Sequence, residues 1–186
     1  MQTTRVIGLI GEIAAGKSTA TEYIKEKYGA VTFRFSDMLR DVARRMYLKE
    51  DRHNLQLLST VLRQNFSEDI MSKVIARDVA QAQHPIIITE GVRRPSDITY
   101  LKELPGFYLI ALTASEHTRY ERLKQRNENP DDATKTWEQF MADGAQESEQ
   151  KVKELMAQAD VTIDNTGDKE NLFQHIDAAM KKILAV

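Results

Sequence analysis

The chain has 186 residues, 41% of them apolar, which is enough for one hydrophobic core and too little for two. Lysine and arginine number 26 against 28 aspartates and glutamates, and the resulting charge of −2 excludes a bulk polyanion binder and an acidic disordered tail. Cysteine is absent, which excludes a disulfide scaffold, a thiolate zinc site and a thiol nucleophile, and fits a reducing compartment. The apolar run from Val6 to Ile10 meets Glu12 too soon for a signal sequence, which needs about 7 to 15 apolar residues, or for a membrane span of about 20. A cytoplasmic chain without membrane contact is expected. With 4 prolines, 8 glycines and no linker-like stretch or internal repeat, the expectation is one domain over 1–186.

Along the chain, short β-branched runs alternate with longer helical patterns, the order of an α/β fold with three layers, α/β/α, around a five-stranded parallel sheet. The first strand is predicted at 5–10, followed by a helix at 17–28, a strand at 30–35 and helices at 37–47, 54–66 and 68–81. Further strands are predicted at 85–89, 107–113 and 161–164, with helices at 115–126, 136–157 and 169–184. The nearly continuous apolar character of the strands suits a sheet covered on both faces. Ser36 or Asp37 is the expected start signal of the second helix and Ser67 that of the fourth. Residues 127–135 are polar, contain Pro130 and read as a loop that moves.

Directly after the first strand comes Gly11-Glu12-Ile13-Ala14-Ala15-Gly16-Lys17-Ser18-Thr19, which satisfies the phosphate-loop pattern G-x-x-x-x-G-K-[ST]. The glycines let the backbone turn so that successive N–H groups point inward at phosphate oxygens, and the next helix adds its positive end. Lys17 then reaches the β and γ phosphates and the Ser18 hydroxyl ligates Mg²⁺, so ATP with Mg²⁺ is the expected cofactor. Strand, loop and helix occur in the order this reading demands.

With these residues in place, the sequence resembles the nucleotide-kinase branch of P-loop proteins: nucleoside monophosphate kinases of the adenylate-kinase type and dephospho-coenzyme-A-kinase-like proteins. Ser36-Asp37-Met38-Leu39-Arg40 is similar to the segment opening the acceptor-site helix, where the resemblance makes Arg40 grip the acceptor phosphate. Thr89-Glu90-Gly91-Val92-Arg93 is similar to the acidic-Gly-x-Arg segment, which implies acceptor contacts at Gly91 and Arg93 rather than at Arg94. Glu121 to Arg126 is similar to the arginine pair flanking the transferring phosphoryl group, here Arg122 and Arg126. Asp164-Asn165-Thr166-Gly167 resembles the loop against the adenine, which implies nucleotide contacts at Asn165 and Gly167. The implied fold is a P-loop NTPase with acceptor-binding helices at about 37–82 and a short lid at about 127–146. The implied activity is phosphoryl transfer to a small nucleotide or nucleoside-like acceptor. The lid departs from the adenylate-kinase pattern, because residues 127–150 contain no arginine and Lys135 is their one basic residue.

Physical chemistry bears on the same residues. Phosphoryl transfer needs cations converging on one cleft, and arginine is preferred because its fork binds phosphate bidentately. Each arginine also has an ordinary reading: Arg122 and Arg126 as a solvated helix face, Arg40 as a surface residue beside Arg44 and Arg45. Arg63 is a further candidate on a helix that would line the acceptor pocket. Glu90 ends an apolar strand, where a carboxylate needs a partner, and Mg²⁺ is the expected one. Asp37 either caps the second helix or contacts, or acts as base for, an acceptor hydroxyl. Trp137 and Phe140 fall at helical spacing with Met141 and Gly144 and read as packing anchors. His53, His84, His117 and His175 lack ligand spacing.

Two alternatives stay open. One is transfer to a hydroxyl, as in dephospho-coenzyme A or a nucleic acid, so that nucleic acid enters only as a substrate. The other is an ATPase switch or assembly factor; no Asn-Lys-x-Asp guanine-reading segment is present. The charge is also segregated: residues 1–126 hold 20 basic against 15 acidic side chains, residues 127–186 hold 6 against 13, and all 13 arginines precede Asn127. This pattern suits a local site for a small, highly charged phosphate ligand.

Overall fold

A computed structural model describes residues 4–126 and 132–185, so residues 127–131 of the expected lid loop lie outside the described part. The order is β1 (Arg5–Gly11), α1 (Lys17–Tyr28), β2 (Val31–Arg34), α2 (Phe35–Arg45), α3 (Arg52–Asn65), α4 (Ile70–Gln81) and β3 (Ile86–Glu90). It continues with a 3₁₀ turn (Pro95–Ile98), β4 (Phe107–Thr113), α5 (Glu116–Arg126), α6 (Trp137–Gly144), α7 (Glu147–Met156), β5 (Val161–Asp164) and α8 (Lys169–Leu184). The strands form a single five-stranded sheet in the order β2-β3-β1-β4-β5, with every pairing parallel.

Strand periodicity sorts the core into two layers, because successive side chains leave opposite faces of a strand. Val6, Ile10, Ile87, Leu109 and Ala111 join α2, α4 and α7 through Leu39, Met71, Ile75 and Leu155. Ile7, Leu9, Ile88, Ile110 and Leu112 join α1 and α8 through Ala20, Ile24, Leu172, Ile176 and Met180. Both faces are therefore dry, as the apolar strands predict. Asp177 braces α8 to α1 by accepting from Lys27 Nζ (2.7 Å) and the hydroxyls of Tyr23 (2.9 Å) and Tyr28 (2.7 Å). The Lys27 ammonium holds this carboxyl below the usual range.

Three local expectations are corrected. The second helix starts at Phe35 rather than Asp37, because Arg34 is still extended (φ −105°, ψ 139°) and the chain passes from β2 into α2 without a loop. The helix predicted over 136–157 is two, broken where Gln146 adopts an extended backbone (φ −63°, ψ 152°) just beyond Gly144. The 3₁₀ turn at Pro95–Ile98 has no counterpart in the predicted elements.

Candidate functional site

In a sheet of this order the connection out of β1 runs to β2 on one side and the connection out of its neighbour β3 runs to β4 on the other, and the crevice beyond the carboxyl ends of these two strands is where an open α/β sheet binds ligands. Residues 11–18 fill that position. Gly16 is left-handed (φ 99°, ψ 19°), and a Cβ there would lie 2.2 Å from Asn165 Nδ2. A Cβ on Gly11 would lie 2.4 Å from the Leu112 carbonyl oxygen. Both positions need glycine for space, and Gly16 needs it for conformation as well. Ala14 is also left-handed (φ 59°), Ala15 is fully buried, and Ser18 and Thr19 follow on the first turn of α1. No side chain caps that helix, which leaves its first amides to a ligand. Lys17 Nζ lies within the loop, donating to the carbonyls of Gly11 (2.7 Å) and Glu12 (2.9 Å). The loop thus has the backbone cradle and the cation that a polyphosphate requires.

The other half is a cavity of about 320 Å³ between α2, α3, the end of β3 and the 3₁₀ turn. Arg63 and Arg93, both expected at an acceptor site, line it together with Gly91 and Glu90. Gly91 turns the chain out of β3 at φ 86°. The Arg63 side chain is only 8% exposed and donates through NH2 to Asp97 Oδ1 at 2.6 Å, and through NH1 to the Glu68 carbonyl. Asp97 Oδ2 accepts from the amides of Arg93 (2.9 Å) and Arg94 (3.0 Å), while the Arg94 guanidinium pairs with Glu68 at 2.8 Å. Buried Arg63 Nε has no hydrogen-bond partner among the described residues.

The other expected site residues have partners of their own. Asp37 accepts from the Arg34 amide (2.9 Å) and caps α2, outside the residues that line the cavity. Arg40 turns to Glu50 (3.4 Å) and is likewise absent from the cavity wall. The partner that Glu90 needs is the Arg34 guanidinium at 2.7 Å. Arg122 donates to the carbonyls of Asn165 (2.7 Å) and Gly167 (3.0 Å) in the loop after β5. Arg126 pairs with buried Asp132 at 2.9 Å. Asn165 is buried and donates to the Ala15 carbonyl (2.9 Å), so its side chain serves the phosphate loop rather than a base. Thr166 donates its hydroxyl and amide to Asp164, which holds that carboxyl below the usual range and stiffens the loop after β5.

Sequence reasoning passed over Asp97, Glu12 and Arg119. For Asp97 the signal existed, since proline opening a turn with an acid two residues later marks a capped start. Arg119 is 6% exposed and pairs with Glu12 at 3.1 Å, a contact between α5 and the phosphate loop that no local pattern announces. Phe140 is the packing anchor expected, buried beside Tyr120, and Trp137 packs on the same tyrosine. Among the described residues, no group of three His, Asp or Glu side chains forms a metal cluster.

A family model described as an AAA domain matches residues 10–141, from the end of β1 through the acceptor helices and into α6. The chain belongs to this AAA domain family. The UPF0200/UPF0201 protein of Archaeoglobus fulgidus is 28% identical over 183 residues, and the match takes in 96% of this chain and 56% of that one. This chain therefore spans little more than half the length of that relative. The UPF0200 protein of Hyperthermus butylicus is 27% identical over 180 residues, covering 97% of this chain and 93% of that one. Among solved structures, shikimate kinase from Bacteroides thetaiotaomicron superposes with a TM-score of 0.64 over 98% of this AAA domain chain and 99% of its own, at 13% identity. The shared feature is the P-loop kinase fold, a five-stranded parallel sheet between helical layers, and the resemblance to nucleotide kinases holds at that level.

Proposed function

We propose that the chain is an ATP- and Mg²⁺-dependent kinase that transfers a phosphoryl group to a small acceptor already carrying a phosphate, of the nucleotide class. The observation that carries this reading is the state of the acids around the cavity. Asp97 is saturated by Arg63 and two amides, Glu90 is paired with Arg34, and Asp37 accepts from the Arg34 amide at the start of α2. A hydroxyl acceptor needs a base to take its proton, whereas a phosphate arrives ionised and needs only cations. Arg63 Nε and the exposed Arg93 guanidinium supply those cations.

The left-handed Gly16, the uncapped start of α1 and Lys17 fit a triphosphate, with Ser18 as the residue to hold Mg²⁺. The ion, when bound, neutralises charge on the β and γ phosphates. Lys17 exchanges two carbonyls for phosphate oxygens, and Arg63 and Arg93 hold the acceptor's anionic end beyond β3.

A coupled assay of ADP release tests the reading against nucleoside monophosphates, dephospho-coenzyme A and short oligonucleotides, with Lys17→Ala as blank. A monophosphate is expected to raise release at least about tenfold over the blank, the scale of removing one phosphate-stabilising charge. Stimulation by dephospho-coenzyme A or an oligonucleotide alone would move the assignment to hydroxyl transfer. Slow release indifferent to every acceptor would move it to an ATPase.

A further inference from the structure

The phosphate loop of this chain carries an acid, Glu12, whose side chain is only 12% exposed. A carboxylate so close to the seat of a polyphosphate repels it unless a cation offsets the charge. Arg119 supplies that cation. From α5 its NH2 reaches Glu12 Oε1 at 3.1 Å, its Nε donates to the Ala114 carbonyl at 3.2 Å, and its NH1 stands 3.5 Å from the Ile13 carbonyl. Lys153 of α7 approaches the same Glu12 oxygen at 3.7 Å, and the Arg119 guanidinium lies 5.3 Å from the ring centre of Phe140 on α6.

The Ile13 contact matters because of peptide geometry. In a planar trans peptide the carbonyl of one residue and the N–H of the next point in opposite directions. A donor holding the Ile13 carbonyl outward therefore turns the Ala14 N–H inward, and Asn165 on the Ala15 carbonyl does the same for the Gly16 N–H. Two side chains from outside the loop thus set the direction of two amides inside it, and one of them also cancels the charge of Glu12.

We infer that Arg119 is a positioning residue for the nucleotide: it neutralises Glu12, orients the Ala14 amide of the phosphate loop, and ties that loop to α6. The inference rests on the nucleotide reading of the loop but not on any identity of the acceptor. It does not make Arg119 a contact of the phosphates, since the guanidinium is buried behind the loop.

The test is the affinity of the purified full chain for ATP, read by fluorescence of N-methylanthraniloyl-ATP and its displacement by ATP, with melting temperature followed in parallel. Arg119→Met leaves the Glu12 charge beside the phosphate loop with only Lys153, at 3.7 Å, to offset it, and ATP should bind about tenfold or more weakly. Adding Glu12→Gln removes the uncompensated charge, so the double variant should regain about threefold or more, which loss of packing alone would not produce. Arg119→Met within about twofold of wild type, or a double variant binding no more tightly than Arg119→Met, would overturn the inference. If Arg119→Met does not fold, Arg119→Lys decides, because lysine keeps the charge and loses the fork. A loss of about threefold or more then supports the positioning role and one within about twofold overturns it. A wild-type chain that binds no ATP removes the nucleotide reading as well, whereas binding unchanged in the variants removes only this one.

Discussion

The phosphate loop is nine consecutive residues whose own backbone makes the cradle, whereas the cavity proposed for the acceptor gathers Arg63 from α3, Glu90 and Gly91 from the end of β3, and Asp97 from a 3₁₀ turn. In the loop, the cation Lys17 donates to the backbone carbonyls of Gly11 and Glu12. In the cavity, Arg63 rests on buried Asp97, and the two hold each other in place before any ligand arrives. The loop, on the proposed donor side, is built from contiguous backbone in a fixed conformation. The cavity, on the proposed acceptor side, is built from distant side chains and fixes a buried arginine with an acid.

Gly16→Ala should break the donor side most completely. The added methyl meets Asn165 Nδ2, and the left-handed backbone costs alanine about 1–3 kcal/mol. Nucleotide affinity should fall by about 10²-fold or more, measured by titration, with a clear loss of melting temperature. Arg63→Met should break the acceptor side differently: about 3 kcal/mol of stability is lost because Asp97 stays buried without its charge partner. ATP binding should stay unchanged while turnover with a monophosphate collapses. Combining it with Asp97→Asn should restore most of the stability, seen in denaturant melts, and none of the turnover. The smallest effect belongs to Asp37→Asn, which weakens a cap by about 1 kcal/mol or less and should leave turnover within a few-fold. A loss of about 10² or more there would restore Asp37 as a proton acceptor.

The same contrast explains what could be read from the chain alone. All five strands stand within a residue or two of their predicted bounds, and α1 and α8 match theirs, because apolar periodicity and local start signals decide such elements. The phosphate loop was legible for the same reason, as a contiguous pattern of fixed chemistry. The acceptor arginines were only partly legible. Arg40 and Arg63 are both plausible from sequence, and the choice between them depends on where Glu50 and Asp97 come to rest. Arg122 and Arg126 look alike on one helix face, yet one binds a loop backbone and the other a buried acid, a difference set by tertiary contacts. The single helix predicted over 136–157 failed at Gln146, where no proline announces a break.

Trp137 is the sole tryptophan of the chain, 37% exposed and set edge-on to Tyr120 with ring centres 5.3 Å apart. It stands on α6, one turn from Phe140, while Tyr120 belongs to the helix that carries Arg119. The indole thus straddles the joint between α6 and α5, partly in water and partly against an aromatic face. Any shift of α6 against α5 would change both its solvation and its neighbour. The emission colour and intensity of the unlabelled protein are therefore a built-in reporter of how that joint is set.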